Sequence, residues 1–127
     1  MRRRSSAGQA TVELVLVLPV VVLALLLVIQ VGLVARAQVL AVNAAREGAR
    51  AAAVDGTGVA RAAAARSPGI RDDRLAVTAG TEAGATGDLV RVAVRYRVPT
   101  DVAIVGPLVG DPTLTAEVVM RAEDPDG

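Results

Sequence analysis

The sequence predicts a membrane-anchored α+β protein. Its expected parts are one long, partly transmembrane N-terminal helix, a short second helix and about three antiparallel strands packed as a sheet on the long helix. Three observations predict this. The run Val12 to Val34 is apolar apart from Glu13 and Gln30. An alanine-rich amphipathic stretch follows it without a break. Beyond Gly69 the apolar spacing changes from a helical period to alternation, the mark of strands with one buried face.

Residues 1–8, MRRRSSAG, form a short basic leader. Residues 9–54 read as one helix, transmembrane over about 12–34. As a helix the run VELVLVLPVVVLALLLVIQVGLV would span about 34 Å, enough for a hydrocarbon core of ~30 Å. Pro19 is tolerated in such a helix and predicts a modest kink. Arg2, Arg3 and Arg4 precede the span and only Arg36 follows it closely. The arginine excess places the N-terminus in the cytoplasm and the C-terminal head outside, so the chain reads as a single-pass cytoplasmic-membrane protein.

The helical pattern continues through Arg36–Val54. Arg36, Asn43, Arg46, Glu47 and Arg50 fall near one face; Ala37, Leu40, Ala41, Ala44, Gly48 and Ala52 fall near another. Asp55-Gly56 ends it, with glycine suited to a left-handed cap. The head, residues 55–127, begins with a short helix over 57–66 that stops at Ser67-Pro68-Gly69. Strands are expected over 74–79, 88–98 and 113–121. In the second, Val90, Val92, Val94, Tyr96 and Val98 share a face, and Arg91, Arg95 and Arg97 share the other. In the third, Leu114, Ala116, Val118 and Met120 share a face. A proline- and glycine-bounded apolar loop joins these two strands, and the EDPDG tail is expected to fray. The apolar sheet face needs a cover, and the alanine stripe of the long helix is the nearest one.

Composition narrows the function. The chain of 127 residues has room for one small domain beside the span. It has no cysteine and no histidine, so disulfides and the usual zinc ligands and general base are missing. One tyrosine is the only aromatic residue, which argues against a base-stacking surface and an aromatic-lined small-molecule pocket. A net charge of +1 gives no global pull toward nucleic acid. Asp72-Asp73 and Asp124/Asp126 do not supply the six to eight oxygens of a calcium site. No nucleophile–base pair is visible. The expectation is a non-enzyme with no cofactor, no metal, no nucleic-acid partner and no small-molecule substrate.

Glu13 is the residue that asks for a function, because a carboxylate inside the edge of an apolar span is unfavourable until paired. Gly8 precedes it by five positions, and a basic leader precedes Gly8. This arrangement resembles the processing site of type IV pilins and pseudopilins. More narrowly, Gly8–Gly32, the following ARAQVLAVNAAREGAR and the late VVMRAE over Val118–Glu123 are similar to the TadE-like family of tight-adherence (Flp-type) pilus systems. The resemblance implies a pilin-like fold and cleavage after Gly8 by a membrane-embedded prepilin peptidase, leaving Gln9 as the mature N-terminus. It implies Glu13 as the assembly carboxylate that pairs with the new α-ammonium of a neighbouring subunit. It also implies other pilin-like subunits and a pilus assembly platform as partners, and a role as a minor pseudopilin that assists assembly or anchoring of the pilus. The local chemistry agrees: glycine lets an extended backbone enter a protease site closely, and a carboxylate four residues from the ammonium lies one helical turn along.

Three other readings compete. Glu13 can be the polar flank of an ordinary signal anchor. Ala35-Arg36-Ala37 resembles a signal-peptidase site, and cleavage after Ala37 would release a soluble exported protein; the span is long for a signal peptide, and the helical pattern runs through the cut. The chain could also serve a secretion or DNA-uptake machine, which would call for a concentrated basic or aromatic site in the head. For the alanine stripe, covering its own sheet is favoured over packing in a filament, and for Arg91, Arg95 and Arg97 a solvated strand face is favoured over a partner surface.

Overall fold

The computed structural model describes residues 6–100, 104 and 106–123. The leader residues Arg2, Arg3 and Arg4, most of the tail and its Asp124/Asp126 pair, and part of the 99–112 loop lie outside the described residues.

Helix α1 runs without interruption from Ser6 to Asp55, with Pro19 inside it. Its first half is apolar all round; its second half is alanine-rich, which favours helix at every exposed position. The exit is at Gly56, whose amide still donates to the Ala52 carbonyl at 3.1 Å. Gly56 has φ 86° and ψ 165°. This differs from the expected left-handed cap: the backbone leaves in an extended, positive-φ conformation open essentially to glycine alone. A 3₁₀ turn, Thr57–Val59, leads into α2, Ala60–Ala65, so the expected second helix is half 3₁₀. A 3₁₀ turn at Asp72–Arg74 then opens the sheet.

The strands are β1 (Leu75–Gly84), β2 (Gly87–Arg97) and β3 (Thr113–Arg121), antiparallel in the order β1-β2-β3. The fold class is the expected one: a long apolar N-terminal helix, a short helix and a three-stranded antiparallel sheet. β1 reaches five residues beyond its expected end. Glu82 to Gly84 have weak strand preference and are held by pairing with β2, with Ala85-Thr86 as a two-residue loop between the Gly84↔Gly87 pair. The 99–112 connection also contains a short helix, α3 (Gly106–Val109).

The core lies between α1 and the sheet, closed on one side by α2. Val90, Val92, Val94 and Tyr96 are buried on the inner face of β2, with Val98 just beyond its end and Leu75 and Ala116 from the flanking strands. Opposite them are Ala37, Ala41, Ala44, Ala45, Ala49 and Ala52 of α1 and Ala60 and Ala64 of α2. The buried stripe is wider than the sequence predicts, since Ala45, Ala49 and Ala53 join it. The helix contacts both the sheet and α2, so two adjacent faces are covered. Gly48 sits where the three layers meet. A Cβ built there would lie 3.0 Å from the Ala60 carbonyl oxygen and 3.3 Å from Val92 Cγ1.

This packing fixes the direction of the head along the helix. The Glu123 amide donates to the Ala53 carbonyl at one end of the sheet. Gly69, at φ 83°, packs on Leu40 at the other. The sheet edge carrying Leu75, Arg97 and Thr113 therefore faces the apolar half of α1.

Candidate functional site

The residues that the sequence singles out lie at the start of α1. Gly8, Gln9 and Glu13 are all exposed and helical. Gln9 and Glu13 are four residues apart, one turn and about 6 Å along the axis, on one face. Among the described residues Glu13 makes no ion pair, and Arg36, the next described cation, is 23 residues further on, about 34 Å away along the helix. The carboxylate thus has no intramolecular counter-charge within the described chain.

Among the described residues nothing asks for glycine at position 8. A Cβ there would meet nothing within 4 Å, and in a helix glycine costs about 1 kcal/mol relative to alanine. The structure places the Gly8–Gln9 bond in the first turns of α1, whereas a protease needs extended backbone. An extended path across this bond would require Ser6 to Gly8 to leave the helix.

From Gly8 to Ile29 the side chains of α1 are exposed, except for half-buried Leu26. Val12, Leu14, Leu16, Leu18, Val20, Leu25, Leu27 and Val28 present large apolar surface on every side. A helix apolar all round needs an apolar surrounding, lipid or other helices. It is the one helix among the described residues long and apolar enough to cross a membrane, which is compatible with a single-pass anchor. α1 continues straight through Ala35-Arg36-Ala37, and Ala37 is already part of the head's core.

The outer face of the sheet holds a second set of charged groups. Arg91 donates from Nε and Nη2 to Glu82 at 3.0 Å each, and from Nη1 to Glu117. The Arg91 hydrogen bond and charge hold the Glu82 carboxyl below its usual range, and the two carboxylates raise Arg91 further. Arg91 thus belongs to a cross-strand clamp across all three strands in which two carboxylates flank it. Arg95 and Arg97, on the same face toward the other end, form no ion pair among the described residues. The sequence grouped all three arginines, and the structure separates them. It also adds Arg74, which lies 3.7 Å from Asp111 and 4.0 Å from Asp73. Nothing in the sequence spacing joins Arg74 to Asp111, because only the β2–β3 connection brings them together. Asp72 and Asp73 are engaged by Arg61 and Arg71.

Residues 8–50 match the family model described as TadE-like protein. The match covers α1 from Gly8 through the helix face that packs on the head, about a third of the chain. Comparison with curated proteins finds no match, and comparison with solved structures finds none.

Proposed function

We propose, starting from the TadE-like match over residues 8–50, that the protein is a minor pseudopilin-like subunit that assists assembly or anchoring of a tight-adherence pilus. It crosses the cytoplasmic membrane once, N-terminus inside and head outside. A prepilin peptidase cleaves it after Gly8, and Gln9 becomes the mature N-terminus. The exposed apolar helix is its packing surface toward other pilin-like subunits, and Glu13 sets their axial register by pairing with a neighbour's α-ammonium.

One observation carries this reading: a carboxylate with no ion pair among the described residues and a glycine with no described packing contact stand five residues apart near the start of a helix that is apolar on all sides. A plain signal anchor uses neither. Signal-peptidase cleavage after Ala37 would expose new chain ends inside a continuous helix, beside a core alanine, which makes that reading weaker.

Substituting Gly8→Leu in the native host tests the processing step. A bulky side chain at the cut is expected to leave the chain with its eight leader residues and to abolish its assembly, while the head stays folded, since the position touches nothing in the fold. Unchanged processing in Gly8→Leu would refute the assignment of this bond.

A further inference from the structure

The head reaches further down α1 than the end of the apolar run. Between Gly8 and Arg36 one residue is buried, Gln30 at 3% exposure, and two are half-buried, Leu26 and Val34. These three share a side with the core residues Ala37 and Ala41. Folded chain therefore covers this side down to Leu26, eight residues and about 12 Å inside the end of the run at Val34. If the run lies in hydrocarbon, this edge of the head cannot stand clear of the bilayer.

The chemistry of that edge suits the position. Arg74, Arg95 and Arg97 border a shallow concavity of about 550 Å³ together with Asp73, Asp111 and Thr113. Nε and Nη1 of Arg74 are shielded from solvent and have no hydrogen-bond acceptor among the described residues; the two aspartates beside them are beyond hydrogen-bond distance. Beyond this cationic rim the 99–112 connection leaves the sheet, closed at its base by the Val98 amide donating to the Pro112 carbonyl. That connection exposes Ile104, and Leu108 of α3 at 82%. Toward the opposite end Arg91 is held by Glu82 and Glu117, and Arg121 stands singly there, donating to the Thr86 hydroxyl.

We propose that this edge is a membrane-docking surface for anionic phospholipid. Arg95 and Arg97 bind headgroup phosphates, with Arg74 beside them adding positive charge at the rim, and Ile104 and Leu108 seat at the acyl boundary beside α1. The inference rests on the reading of α1 as a membrane anchor. Arginine is suited to the task because its planar fork bonds two phosphate oxygens at once. Docking of this kind holds the head against the bilayer until the subunit is withdrawn from it.

The chain has no cysteine, so single labels can be introduced freely. The full chain would carry a fluorophore at Leu16→Cys, Ala85→Cys or Leu108→Cys, in nanodiscs of phosphatidylcholine and phosphatidylglycerol with brominated acyl chains. Quenching is expected at positions 16 and 108 and not at position 85. Brominated phosphatidylglycerol is expected to quench position 108 at lower mole fraction than brominated phosphatidylcholine. Arg95→Gln with Arg97→Gln should erode that preference roughly five-fold per arginine. Quenching at 16 without quenching at 108 overturns the docking and leaves the anchor standing; no quenching at 16 overturns both. Equal quenching by the two lipids, or a preference unchanged in the double variant, overturns the headgroup role. Loss of the preference on adding inorganic phosphate at matched ionic strength would assign the arginines to free phosphate instead.

Discussion

Glu13→Ala is expected to abolish incorporation of the subunit into its assembly while leaving membrane insertion and cleavage intact. Insertion should become slightly easier, because the substitution removes a charge from the edge of an apolar span. The effect arises at the contact between subunits. Within the described chain Glu13 has no counter-charge, so removing it alters no described ion pair. On the proposed reading, in the assembled state it leaves a neighbour's α-ammonium unpaired at low dielectric. Truncating one partner of a buried, hydrogen-bonded charge pair costs about 2–5 kcal/mol, roughly 30- to several thousand-fold in affinity at each contact. The measurement is co-assembly with partner subunits beside the membrane-inserted, processed fraction. Normal assembly of Glu13→Ala would remove the register role. Loss of insertion together with assembly would show that the residue serves the anchor instead.

The largest effect on the head itself is expected at Gly48. The helix, α2 and β2 converge there, and even a Cβ would lie 3.0 Å from the Ala60 carbonyl oxygen, a backbone atom that cannot swing aside. Gly48→Val adds two further methyls against Val92 and Ala64. Overpacking of this kind costs about 1–3 kcal/mol, a sizeable share of the ~5–15 kcal/mol that stabilises a typical domain. Gly48→Val is therefore expected to lower the thermal midpoint of the head by several degrees, with Gly48→Ala intermediate. Gly32→Val is the control: a Cβ at Gly32 meets nothing within 4 Å, so the midpoint should stay near that of the native chain. Far-UV circular dichroism of the full chain in detergent, with Tyr96 as the local probe of the core, reads both. A native-like melt for Gly48→Val would contradict the close packing of helix and sheet.

Much of the architecture was legible because its periods are clean. The apolar run, the alternation of Val90 to Val98 and the small-residue stripe each give one element and one buried face. The hidden features depend on pairing and contact. β1 extends to Gly84 although its last residues favour no strand, because β2 supplies the ladder. The stripe on α1 is wider than its spacing implies, because α2 folds back against it. Gln30 reads from sequence as a polar residue near the end of a span, and only the fold shows it covered. The candidate assembly residues are the reverse case. Gly8, Gln9 and Glu13 were singled out by their resemblance to a pilin-type processing site, and among the described residues the structure shows no packing contact for a side chain at Gly8 and no ion pair for Glu13. The arginines were half legible; alternation placed Arg91, Arg95 and Arg97 on one face, but only strand pairing consumes Arg91 and brings Arg74 to the others.

On the proposed reading, cleavage after Gly8 converts this chain into an assembly subunit. Intact mass and N-terminal sequencing of the protein isolated from its native membrane test it most directly. The account predicts a chain beginning at Gln9, carrying its complete apolar helix. A chain beginning at Gln38 would contradict it and make the protein a soluble exported one; an intact Met1 would reduce α1 to a plain anchor.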